Sequence, residues 1–183
     1  MNTSPEFNVA DWIAQNTIGG TLVTDEALRA VSNFTVMWNL FESGLCDANA
    51  SVAAFKRAIE RYRPGSSSDA SARALQECLA FWRGRYRSTD GFSHGFEQLN
   101  FRPGDHRNRV EAVLAGTVAD PKEELLALMI ITYRLRNNLF HGLKSLEMLN
   151  RQVENLTNAI RCLAAILEVL PSDIITRQRG KVD

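Results

Sequence analysis

PKEELLALMIITYRLRNNLFHG, residues 121–142, sets an apolar helix against a polar ending. Pro121 suits the first turn of a helix, where its missing N–H costs nothing, and Glu123 and Glu124 follow near the positive end of the helix dipole. From Leu125 to Phe140 the pattern is apolar nearly all round. Leu125, Leu126, Leu128, Met129, Ile130, Ile131, Leu135 and Leu139 leave little surface for water, so this helix is expected at the centre of a bundle. Gly142 is placed to end it. Yet its last turns carry Arg134, Arg136, Asn137, Asn138 and His141. An unpaired buried arginine costs several kcal/mol, so these groups need partners, a wet cleft or a helix end open to solvent.

The neighbouring stretches are helical too. Leu146, Leu149, Val153, Leu156, Ile160, Leu163, Leu167 and Leu170 alternate spacings of three and four, a heptad seam predicting one helix from Ser145 to Leu170, stopped by Pro171. Upstream, Thr24 followed by Asp25 and Glu26 marks a capped start, and Leu28, Val31, Phe34, Trp38, Phe41 and Leu45 give that helix one buried face. A second helix is predicted over Ala50–Tyr62, and a third from Asp69 to Tyr86 after the Pro64-Gly65-Ser66-Ser67-Ser68 break. No strand alternation competes. The expectation is one all-α helical bundle over residues 1–183, with additional N-terminal helices, a long loop insert, and loose ends at 1–20 and 171–183.

Composition narrows the function classes. Twenty-one lysines and arginines balance twenty-one aspartates and glutamates in 183 residues, so no whole-molecule field draws the chain to nucleic acid or acidic membranes. Cys46, Cys78 and Cys162 are odd in number and set in apolar segments, which predicts reduced core thiols and a cytoplasmic setting. Neither a signal-peptide pattern nor an apolar run of membrane-spanning length is visible, so no membrane partner is expected.

Residues 88–105, rich in Gly, Ser, Asn and Pro, are predicted as an extended loop with about one helical turn. Between Lys56 and Arg109 basic residues outnumber acidic ones by roughly two to one. Arg83, Arg85, Arg87, Arg102, Arg107 and Arg109 are the densest part, a candidate phosphate-tracking surface; solvated arginines on long helices are the plain alternative. Phe92, Phe96 and Phe101 are the aromatics placed for base stacking, whereas Trp38, Phe41, Phe81 and Trp82 sit at core spacing. His94 and His106 lack companion ligands at zinc-like spacing, so neither metal nor cofactor is expected. Ser66, Ser67 and Ser68 lack a nucleophile-elbow context, and no glycine-rich phosphate loop precedes a helix.

At about 100° per residue, Asn137 and His141 lie roughly 40° apart on one helix face, while Arg136 and His141 are about 140° apart. Either the last turn unwinds, or two copies of the helix combine their side chains across a two-fold axis. Arg136-Asn137-Asn138-Leu139-Phe140-His141 resembles the Arg-Asn-x-x-x-His motif of the HEPN superfamily. The longer phrase from Leu135 to Gly142 looks like APEA-like and related stand-alone HEPN proteins of bacteria.

That resemblance implies a metal-independent endoribonuclease, usually dimeric, serving as a toxin or an effector in defence against phage. His141 would be the general acid or base, Arg136 would hold the scissile phosphate and Asn137 would orient the site. A near-neutral histidine can take the proton of a ribose 2′-hydroxyl, and a cation can stabilise the phosphorane, leaving a 2′,3′-cyclic phosphate and a 5′-hydroxyl. Glu42, Arg134 and Lys144 are accessory candidates. Some family members are silenced by an antitoxin that modifies a tyrosine just after the histidine; here Gly142, Leu143 and Lys144 follow, so that mode is not expected. The competing reading is a non-catalytic binding or assembly module, in which the basic residues near the helix end answer the dipole.

Overall fold

A computed structural model describes residues 7–63, 65, 68–141 and 146–172. Its helices are α1 (Val9–Asn16), α2 (Asp25–Leu45), α3 (Val52–Glu60), α4 (Asp69–Tyr86), a single turn α5 (His94–Glu97), α6 (Arg107–Ala115), α7 (Pro121–His141) and α8 (Val153–Val169). The fold is an all-α helical bundle. α8 packs on both α2 and α4, α7 packs on α3 and α6, and the two long helices meet each other.

The caps fall where the sequence puts them. Thr24 Oγ1 accepts from the Ala27 amide at 3.1 Å, and the Ser68 side chain accepts from the Ser71 amide, satisfying donors that have no intrahelical partner. Helix α7 is the central element, since every residue from Leu125 to Ile131 is at most 2% exposed. Full burial of each large aliphatic side chain stabilises the fold by about 1.5–3 kcal/mol, which explains why no polar residue interrupts that run.

Four local features differ from the sequence reading. The lead segment holds α1, capped by Asn8, although none of its residues is buried. The seam helix begins as a 3-10 segment, Leu146–Gln152, and becomes α-helical only at Val153. There Asn150 donates to the Leu22 carbonyl at 2.7 Å and accepts from the Thr24 amide at 3.0 Å, fastening this segment to the start of α2. The predicted loop also contains a two-residue antiparallel hairpin, Arg87–Ser88 with Gly91–Phe92. Finally, α6 follows that loop; Val110, Val113 and Leu114 bury its inner face, and Gly116 closes it at φ +77°, where a side chain would be strained.

Candidate functional site

The polar groups on the last turns of α7 leave the helix in three directions. Arg136 is half-buried; its guanidinium donates to Asn137 Oδ1 at 3.2 Å and lies 5.9 Å from the Trp38 ring centroid on α2. Asn137 itself is buried. Trp38 stacks on Tyr133, one turn back from Arg136, at 6.1 Å. The arginine and amide of the motif are therefore held as a pair, with an aromatic face beneath the cation.

Arg134 points elsewhere. It is 2% exposed, donates through Nε to the Leu99 carbonyl at 2.9 Å and forms an ion pair with Asp105 at 3.4 Å. Burial pulls its pKa below the ordinary arginine value, and the nearby Asp105 charge opposes that shift. Asp105 in turn accepts from the Arg102 amide at 2.7 Å. Arg134 thus pins the 99–105 segment to α7, a structural role beside the accessory one that its place in the motif suggests. Asn138 takes the third direction, donating to the Gln98 carbonyl at 2.9 Å.

Glu42 is likewise bonded within the fold. Its two carboxylate oxygens accept from the Trp38 indole at 3.0 Å and from the Ala50 amide at 3.1 Å, so it closes the turn between α2 and α3. Its indole partner Trp38 is the ring beneath Arg136. The backbone of α7 runs to His141, placing that residue at the helix end on the side of Arg134 and Asn137. The His141 side chain, like the whole of Gly142, Leu143, Lys144 and Ser145, lies outside the described residues.

The basic stripe is mostly neutralised. Arg107 binds Glu97 and Glu111, Arg109 binds Glu123, Arg85 pairs with Glu154 at 3.3 Å, and Arg83 donates to the Val113 carbonyl at 3.0 Å beside Glu124. Bonded carboxylates raise the pKa of Arg107 and Arg109 further above their ordinary value. Among the described residues only Arg87 and Arg102 of the six pair with no acidic side chain, and Arg87 lies over Phe92 at 5.9 Å. A continuous phosphate-tracking surface is not what these six residues form.

Of the loop aromatics, Phe96 is corrected. Phe96 is wholly buried and sits 4.4 Å from Phe92 and 5.1 Å from Phe101, with Tyr86 at 5.8 Å. Arg107 covers the cluster at 5.2 Å from the Phe96 ring. Burial removes Phe96 from any base-stacking role, and Phe92 and Phe101 pack on it as partly buried rings. Trp38, Phe41 and Trp82 are core residues as their spacing predicts, and the partly buried Phe81 packs edge-on against Trp82 at 4.7 Å. All three cysteines are buried and free.

Sequence reasoning passed over a cleft of about 700 Å³ on another side of α7, bordered by Leu135, Asn138 and Leu139. Among the described residues no group of three histidine, cysteine or acidic side chains could hold a metal ion, and no helix is long and apolar enough to cross a membrane. Comparison with known proteins matches no family model, no curated protein and no solved structure.

Proposed function

We propose that the chain is a metal-independent endoribonuclease of the HEPN type, serving as a toxin or a phage-defence effector. The observation that carries this reading is the Arg136–Asn137 pair, hydrogen-bonded at 3.2 Å over Trp38, five and four residues ahead of His141 at the end of the central helix. In the proposed reaction one imidazole takes the proton of the ribose 2′-hydroxyl, the 2′-oxygen attacks phosphorus, and the bond to the 5′-oxygen breaks as the imidazolium of the second subunit gives that oxygen a proton. Arg136 stabilises the charge on the phosphorane. Arg136 and His141 lie about 140° apart round one helix, so the complete site is shared between the subunits of a homodimer.

Purified protein is expected to cut single-stranded RNA in EDTA, leaving 2′,3′-cyclic phosphate ends, and to lose that activity in His141→Ala. Retained cleavage in that variant rejects the site. A stable monomer at micromolar concentration in sedimentation rejects the shared geometry.

The second reading is a non-catalytic module that binds RNA or a protein partner, an antitoxin or defence component among them. It draws support from the structural employment of Arg134, Glu42 and Asn138 and from the paired basic stripe. On this reading Arg136→Ala loosens the bundle or its assembly, and no RNA is cut by any variant.

A further inference from the structure

The cleft of about 700 Å³ lies within the roughly 300–1,000 Å³ usual for ligand sites. Its walls come from the end of α4, the 95–100 segment, α7, the 3-10 segment and the start of α8. Leu135, Leu139 and Leu156 supply apolar surface. Two arginines border it, but only one brings uncompensated charge. Arg85 is neutralised by Glu154 at 3.3 Å, whereas the exposed Arg151 pairs with no acidic side chain among the described residues. Among the described residues no carboxylate lines the cleft.

Asn155 sets a further requirement. It is only 7% exposed, its Nδ2 donates to Gln152 Oε1 at 3.0 Å, and its Oδ1 is buried with no hydrogen-bond partner. A buried acceptor left unsatisfied is costly, and an N–H offered from the cleft relieves it. The χ2 torsion of asparagine is broad, so Oδ1 can turn to such a donor. The fitting occupant therefore combines one negative charge, one uncharged N–H and one apolar group. The last residue of a peptide carries all three on a single α-carbon: its carboxylate, its amide N–H and its side chain. A free amino acid fits poorly, because its ammonium group would meet Arg151 and no carboxylate. A fatty acid lacks the N–H.

We propose that this cleft binds the C-terminus of a partner protein that ends in a large aliphatic residue. Arg151 meets the terminal carboxylate, Asn155 accepts from the last amide N–H, and the aliphatic side chain lies against Leu135, Leu139 and Leu156. Arginine is suited to carboxylate oxygens, and capture of a terminal carboxylate is a recurring mode of peptide recognition. The site is separate from the Arg136 pair and stands whether or not that pair cleaves RNA.

Calorimetry of the full chain with N-acetyl-Ala-Leu as the free acid, with its C-terminal amide, with leucine and with hexanoate tests it. The free acid is expected to bind about tenfold or more tightly than the others. The amide lacks the charge, leucine lacks the neutral N–H, and hexanoate has no N–H at all. Arg151→Gln, at an exposed position, should weaken the free acid about tenfold and leave the amide unchanged. Asn155→Leu should weaken both peptides while the melting temperature holds or rises, because the orphaned acceptor is gone. His141→Ala should leave peptide affinity unchanged, which separates this site from the proposed catalytic one. The proposal is overturned if the free acid does not bind at millimolar concentration, if the amide, leucine or hexanoate matches it, or if its affinity survives both Asn155→Leu and Arg151→Gln.

Discussion

Arg134→Met separates a structural arginine from a functional one. Methionine keeps much of the aliphatic stem but removes the bond to the Leu99 carbonyl and the ion pair with Asp105, whose partners are 3% and 10% exposed. Breaking one side of a buried pair costs about 3–5 kcal/mol, because the remaining charge stays buried. Asp105 keeps the Arg102 amide at 2.7 Å, and removal of the guanidinium also removes its own desolvation cost, so the lower end, about 3 kcal/mol, is the expected loss. At a urea slope of about 2 kcal/mol per molar the midpoint falls by about 1.5 M, and the melting temperature falls by roughly 6–12 °C. Tryptophan fluorescence reads the transition through the buried Trp38 and Trp82. Adding Asp105→Asn to Arg134→Met should recover part of the loss, since a neutral amide oxygen can still accept from Arg102. A single variant within about 0.5 kcal/mol of the parent refutes the pin and returns Arg134 to the pool of site residues.

Three further outcomes follow from the same geometry. Glu42→Gln should cost about 1–2 kcal/mol by weakening acceptance from Trp38 and Ala50, and should shift tryptophan emission; loss of RNA cleavage at unchanged stability would contradict that role. Hydrogen bonding to Arg107 lowers the pKa of Glu97, so its stabilising contribution is present above the ordinary carboxylate range and disappears as the pH falls through the lowered value. The melting difference between parent and Glu97→Gln should therefore vanish on acidification, and a constant difference would reject the pairing. Burial, followed by the charges of Glu42 and Asp47, pushes the Cys46 thiol up to about 12, so this cysteine should resist alkylation at pH 8 in the native protein and react in urea.

The long elements were legible because each combines a capped start with a sustained apolar face. Thr24 and Ser68 open α2 and α4 where the sequence places them, and α2 and α4 end at Leu45 and Tyr86, as their patterns predict. Helix α1 carries no such signal, since it buries no side chain and needs no apolar stripe. Helix α6 was hidden by length: three buried aliphatics among nine residues, flanked by arginines, resemble a loop until the partners on α7 are known. Charge was the least legible property. Arg107 and Arg87 look alike in the sequence, yet one binds two glutamates and the other lies over a phenylalanine. Ion pairing depends on which carboxylates the tertiary fold brings near, and linear spacing does not encode that.

The end of α7 shows why one motif can serve several ends. Arg134 and Asn138, a turn apart, hold the carbonyls of Leu99 and Gln98, so two successive backbone groups of the loop are fastened to one helix edge. Arg136 lies over Trp38 on another side, and the cleft opens beside Leu135 and Leu139. A buried helix with few voids transmits displacement instead of absorbing it. A ligand that moves Asn138 or the 95–100 segment therefore acts on the same turns that position Arg136. If the chain cuts RNA as proposed, Asn138→Ala, which releases the Gln98 carbonyl, should change the cleavage rate. A cleavage rate indifferent to that substitution would mean that the two sides of the helix work independently.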